Sequence, residues 1–255
     1  MSPDYRSTRQ HGVEPASEWR WHTAQVAEHG FWAHEATSSV YIDATGESRR
    51  MQVDEELALF DHNGEFKRRI ARARRVLEVG SGPIGIIHFL DTPALRVALD
   101  PLMLDLVSAG YANSFGAARV EGVGERLPIS TGSIDIVICY NVLDHCLDPL
   151  GVMNEMYRVL RPGGTMVLEL HLIRAVFGLF AGLLGRLDPP HPYHFTRDQA
   201  LSLARTAGFR LEFERIRPKG FRRFPLKDLL SYNGLRHLGS SVVTGTAGTF
   251  RYVRD

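Results

Sequence analysis

The sequence predicts an α/β fold built on a mostly parallel sheet, and two observations carry that prediction. Five apolar runs of strand length alternate with helical text between residues 75 and 170, the pattern of a parallel sheet with helices on both faces. The first run, Val76-Leu77-Glu78-Val79, leads directly into Gly80-Ser81-Gly82-Pro83-Ile84-Gly85. A buried strand followed at once by a glycine turn is how open α/β sheets present a ligand crevice at the carboxyl ends of their strands.

Taken in order, residues 1–15 carry Pro3, Gly12 and Pro15 in polar text and are expected to form a flexible tail. Ala16 to Ala36 reads as a helix holding Trp19, Trp21, Val26, Phe31 and Trp32, with all three tryptophans of the chain. Two readings fit it: plain packing, or a lid whose aromatic rings cover a ligand and exclude water. Residues 16–70 as a whole are expected to form an N-terminal helical cap.

The strands are expected at Arg75–Val79, Leu95–Leu99, Ala118–Glu121, Ile134–Tyr140 and Thr165–Leu170, with helical text at Ile84–Leu90, Leu102–Ala109 and Val152–Leu160. A helix at Arg197–Ala207, N-capped by Thr196, follows. Strands at Phe209–Arg215 and Thr249–Val253 can then pair antiparallel. The main domain spans 71–255, with insertions at 171–197 and 217–245. In the first insertion, Leu172, Val176, Leu179, Phe180, Leu183 and Leu187 recur at helical spacing. That stripe suits a helix packed over a site or in a dimer contact, or a surface that meets a lipid-linked substrate.

Composition excludes several classes. At 255 residues with 44% hydrophobic content, the chain can bury one α/β core with an embellishment. A net charge of +1 argues against nucleic acid as the main partner. The only cysteines, Cys139 and Cys146, lie near one strand end, so a disulfide framework is not expected and a reducing cytoplasm is. Met1 to Gln10 lacks the apolar core of a signal peptide. The most apolar stretch, Leu172 to Leu187, contains Arg174 and Arg186 and is short for a membrane span. Of two basic clusters, Lys67 to Arg75 reads as a solvated helix face. The other, from Arg215 and Arg217 to Lys219, Arg222 and Arg223, could grip a phosphate or carboxylate, with Phe221 and Phe224 interleaved.

The glycine turn has the spacing G-x-G-x-x-G, and Asp100 closes the second apolar run twenty residues after Gly80. That spacing alone suits a dinucleotide site or an S-adenosylmethionine site. Glu78 leans toward the second: a carboxylate before the turn repels a pyrophosphate and favours an ammonium or sulfonium. Pro83, moreover, has no N–H to offer a phosphate. Asp100 can accept ribose hydroxyls, or cap the helix beginning near Leu102.

Further along come Glu125-Arg126-Leu127-Pro128-Ile129, the run Ser133 to Ile138, Cys139-Tyr140-Asn141-Val142-Leu143-Asp144-His145, and Arg161-Pro162-Gly163-Gly164. With the glycine turn, these resemble the class I S-adenosylmethionine-dependent methyltransferases, specifically the methyltransferase type 11 group, over about residues 75–215. The resemblance implies a Rossmann-like, seven-stranded, mostly parallel sheet with an antiparallel last strand. It implies that Glu78, Gly80, Ser81 and Gly82 face the methionine moiety, and that Asp100 is the ribose acid with Pro101 and Leu102 beside the adenine. Gly124, Glu125, Arg126 and Leu127 match the loop edging the adenine, and Asn141 and Val142 the position under the methionine end. The chain departs from the family at Ile84, where a third glycine is usual, and at Val123, where an acid is common.

Methyl transfer is an in-line displacement that needs alignment and, for a hydroxyl acceptor, removal of a proton. His145 is the candidate base, since neutral imidazole is available near pH 7. Asp144 is the candidate to orient it or take the role, and Asp148 is a further one; loop stabilisation is the competing reading of His145. Trp32, His171, His191 and His194 are expected on the acceptor side. Asp144, His145 and Asp148 are suitable metal ligands, but one short loop is weak evidence and no metal is expected. The expectation is an enzyme that O-methylates a small-molecule or carbohydrate hydroxyl, leaving S-adenosylhomocysteine. N- or C-methylation, an NAD-dependent oxidoreductase and an inactive binding module are the alternatives.

Overall fold

The computed structural model describes residues 13–35, 47–108, 116–175, 191–218 and 246–255. Three helices come first: α1 (Glu18–Glu35), α2 (Glu47–Leu59) and α3 (Glu65–Arg72). Then follow β1 (Arg75–Val79), β2 (Leu95–Asp100), α4 (Met103–Ser108), β3 (Ala118–Glu121), β4 (Ile134–Tyr140), α5 (Pro149–Val159) and β5 (Leu160–Leu172). The chain ends with α6 (Arg197–Thr206), β6 (Phe209–Pro218) and β7 (Thr246–Arg254).

The strands form one seven-stranded sheet in the order β3-β2-β1-β4-β5-β7-β6. β1 pairs parallel with both β2 and β4, and β7 runs antiparallel to β5 and to β6. Alternation along β1 separates two cores. Leu77 and Val79 join α5 and α6 on one face, while Val76 joins Phe60, Phe66 and Ile70 of the α2–α3 region on the other. Phe60 and Phe66 are fully buried, each contributing about 2–3 kcal/mol of transfer free energy.

Several expectations shift. The helix expected at Ile84–Leu90 is only a short 3-10 turn, Ile86–Phe89. Gly85 is extended, and the Ile86 and Ile87 amides donate to the Glu78 carboxylate. β6 continues through Pro218, so Arg217 belongs to a strand and not to the insertion. Arg69 is no solvated helix residue: it contacts Thr165 Oγ1 at 2.7 Å, Glu65 Oε1 at 2.6 Å and Glu212 Oε2 at 2.9 Å. Arg251, 3% exposed, reaches Glu65 Oε2 at 2.6 Å from β7. These ions tie α3 to the antiparallel edge.

Arg215 donates to the carbonyls of Ala58 and Asp61, and Arg217 reaches Glu169 Oε1 at 3.4 Å, so both have partners within the fold. Lys219, Phe221, Arg222, Arg223 and Phe224 lie outside the described residues, as do residues 1–12 of the tail and 176–187 of the apolar stripe. Thr196 caps α6 as expected, in a reciprocal box with Gln199. Cys139 and Cys146 are buried free thiols.

Candidate active site

Because β1 to β5 run parallel, their carboxyl ends share one edge of the sheet. Strand order reverses between β1 and β4, where open α/β sheets bind ligands. A cavity of about 580 Å³ lies there, within the usual size of small-molecule sites. Its floor is the β1 turn, the end of β2, the loop after β3 and the end of β4; its roof is α1 and α2.

The β1 turn is shaped by close approaches. Gly80 has φ of 68° and donates its N–H to Leu99 O at 2.8 Å. Gly82, with φ of 52°, donates to Asp100 Oδ2 at 2.9 Å. Asp100 Oδ1 accepts from Leu102 N at 2.9 Å. Asp100 therefore does the capping that its sequence position allowed, and each of its oxygens, having accepted one bond, keeps further acceptor capacity. Burial raises its pKa.

Glu78 is 2% exposed, and its oxygens accept from Ile86 N at 3.3 Å and Ile87 N at 2.8 Å. Burial pushes its carboxyl up to about 8 against these two amides. Glu78 thus borders the cavity while holding the turn closed beneath it. Gly85 is required by that arrangement: a Cβ there would fall 2.5 Å from Glu78 Oε2.

Beyond β4, Asn141 has φ of 54°, an uncommon left-handed conformation for a side chain other than glycine. Its Oδ1 is buried on the cavity wall without a hydrogen-bond partner among the described residues. Gln25 Oε1 of α1 is in the same condition on the opposite wall. Such atoms are costly unless a ligand satisfies them. With acidic groups at Glu78 and Asp100 and apolar walls from Leu99, Leu102 and Val123, the residues fit a cationic nucleoside cofactor.

A short turn, Leu143–His145, then presents His145 to the cavity. His145 Nε2 stands 3.9 Å from Asp144 Oδ1, and Nδ1 stands 3.8 Å from Glu28 Oε2 of α1. The His145 and His191 ring centroids are 4.7 Å apart. Asp144 is 4% exposed; burial raises its pKa, but His145, His191 and His171 around it lower it overall. Asp148 does not take part: it caps α5, accepting from Leu150 N. The His191 segment is anchored by Tyr193, whose N–H donates to Asp144 O at 3.3 Å and whose hydroxyl donates to Leu147 O at 2.7 Å.

The cavity wall brings together Glu78, Gly80, Ser81, Gly82, Asp100, Pro101, Leu102, Gly124, Glu125, Asn141, Val142, His145, His191 and Trp32. It does not include Arg126, which is exposed, or Leu127, which is core. His171, His194 and Asp144 also stand back from it. Glu125 is engaged with the chain itself, accepting from Leu147 N at 2.7 Å and Asp148 N at 3.1 Å.

Sequence reasoning missed Arg49, Gln52 and Glu56 of α2, which also line the cavity. Arg49 donates from Nε to Ile84 O at 3.0 Å and pairs with Glu56 at 2.8 Å. No motif marks α2, and only its packing on the β1 turn brings it there. From α1, Trp21, Glu28, Phe31 and Trp32 contribute, while Trp19 is 77% exposed. Trp32 lies against Gly82 and donates its indole N–H to Glu28 Oε1 at 3.0 Å.

Comparison with known proteins agrees with this geometry. Residues 67–168 match the family model described as a methyltransferase domain. An uncharacterized methyltransferase of Mycobacterium sp. (strain KMS) is 37% identical over 106 residues, 41% of this chain and 42% of that protein. The chain therefore matches less than half the length of that relative. A ubiquinone biosynthesis O-methyltransferase of Xanthomonas campestris pv. campestris is 30% identical over 130 residues, 48% of this chain and 54% of that protein. Among solved structures, geranyl diphosphate methyltransferase in complex with SAM aligns over 81% of this chain and 85% of its own, with TM-score 0.63. At 12% identity that is a likeness of fold. With its seven-stranded sheet and β1 turn, this chain is similar over residues 67–168 to the class I S-adenosylmethionine-dependent methyltransferases.

Proposed function

We propose that the protein transfers a methyl group from S-adenosylmethionine to a hydroxyl of a small molecule, a sugar or glycoconjugate being the narrower choice. One observation supports this above the rest: a single cavity runs from the Gly82–Asp100 contact to His145 and His191. Asp100 accepts the ribose hydroxyls with the lone pairs its two backbone bonds leave. Pro101, Leu102 and Val123 flank the adenine. Asn141 Oδ1 and the Glu78 carboxylate face the ammonium end, where each gains an electrostatic partner. Bound there, the cofactor supplies a methyl carbon activated by the sulfonium, and the new O–C bond forms as C–S breaks with its electron pair left on sulfur.

The acceptor enters beside His145, which takes the hydroxyl proton and stands between Asp144 and Glu28. Trp32 and Phe31 of α1 close the roof and keep water from the reacting centre. The O-methyltransferase named among the relatives agrees with oxygen as the methylated atom. No helix among the described residues is long and apolar enough to cross a membrane, which suits an acceptor met in the cytoplasm.

Calorimetric titration of S-adenosylmethionine and NAD tests the donor, with micromolar binding of the former expected. Binding of NAD alone would overturn the proposal. Incubation of candidate metabolites with isotopically labelled donor, read by mass spectrometry, identifies the acceptor; label on nitrogen or carbon would reject the hydroxyl.

A further inference from the structure

We infer that Asp144, His145 and His191 form a binding site for a divalent transition-metal ion at the acceptor end of the cavity. One ligand atom from each residue lies within 4.8 Å of the other two. Two imidazoles and a carboxylate are the donor set favoured by zinc and by iron(II) when open positions remain.

The separations fit an ion better than a hydrogen-bonded cluster. His145 Nε2 and Asp144 Oδ1 are 3.9 Å apart, too far for a hydrogen bond. Metal bonds of about 2.1 Å set neighbouring ligand atoms roughly 3–3.5 Å apart, within reach of small side-chain rotations. Asp144 is 4% exposed, and its Oδ1 is buried with no hydrogen-bond partner among the described residues. A carboxylate oxygen in that position is costly unless something cationic meets it. The site is also braced: the Tyr193 N–H to Asp144 O bond joins the two loops that carry the ligands. Glu28 Oε2 lies 3.8 Å from His145 Nδ1, where an outer carboxylate orients a metal-bound imidazole. His145 and His191 line the cavity, so the ion's remaining positions face an incoming substrate.

The ion's role rests on the proposed methyl transfer and sharpens it. A hydroxyl bound to the ion loses its proton to water more readily, and His145 then serves as ligand in place of base. The acceptor class narrows to molecules that can chelate, such as vicinal diols or hydroxy acids.

The test uses the full chain, stripped with a chelator and titrated calorimetrically with zinc chloride. Cobalt(II) absorption spectra supply a second readout independent of activity. One equivalent should bind, with visible cobalt bands. D144N and H191Q should each weaken binding at least tenfold, and H62A, at a histidine outside the cavity, should leave it unchanged. Absence of stoichiometric binding, or binding unaffected by D144N and H191Q, overturns the site. The two proposals fail separately. Full-rate methyl transfer by chelator-treated protein that binds no zinc would sink the metal site and keep the function. Ligand-dependent zinc binding in a protein that binds no S-adenosylmethionine would do the reverse.

Discussion

A Cβ placed on Gly80 would stand 2.3 Å from Cγ1 of Val142, so the turn after β1 packs its bare backbone against the side chain that follows β4. Gly80 also holds φ of 68°. The turn after β1 and the loop carrying His145 are thereby packed against each other.

The first prediction tests that unit. Gly80→Ala combines a left-handed conformation costing ~1–2 kcal/mol with overpacking of ~1–3 kcal/mol. Thermal melting should drop, and donor affinity should fall by at least an order of magnitude. Adding Val142→Ala should recover part of the lost stability. Additive losses in the double variant would show that the two residues do not clash.

Asp100 serves the turn and the proposed ribose contact together. Asp100→Ala leaves the Gly82 and Leu102 amides without their acceptor, at ~1–3 kcal/mol if they stay buried. It should weaken S-adenosylmethionine by about tenfold or more, read by calorimetry beside a melting curve. Unchanged affinity would place the ribose elsewhere.

Burial holds Glu78 up at about 8, against an ordinary value of 4.5. Between those values the native state keeps a proton that the unfolded chain has lost, so stability declines as pH rises through that window. Glu78→Gln should flatten the decline. A cationic ligand favours the ionised carboxylate, so donor binding near pH 7 should release a proton and tighten as pH approaches about 8. Calorimetry in two buffers of different ionisation heat reads this directly, and proton uptake would contradict it.

Removal of the imidazole at 145 separates chemistry from donor binding. His145→Ala should lower turnover ~10²–10⁴-fold with the donor dissociation constant nearly unchanged. Equal losses in both would mean that the Leu143–His145 turn only supports the cofactor loop.

Much of the fold was legible because buried parallel strands are written as apolar runs. Arg75–Val79 and Ile134–Tyr140 each read correctly as strands from local sequence. The segment Ile84–Leu90 misled, because its apolar text looks helical while the backbone is extended at Gly85 and again at Leu90, which leaves room only for the Ile86–Phe89 turn. Arg69 misled similarly: its charge suggests solvent, and only the arrival of β6 gives it Glu212.

The sequence by itself determined the sheet, the donor class and the residues of the β1 turn, since these depend on spacing within a strand and the turn that leaves it. The tertiary structure alone decided what surrounds them. α2 contributes Arg49 to the cavity, α1 lays Trp32 over Gly82, and a segment 46 residues beyond His145 in the chain brings His191 to its side. Such meetings come from the packing of faces far apart in sequence, and no local pattern records them.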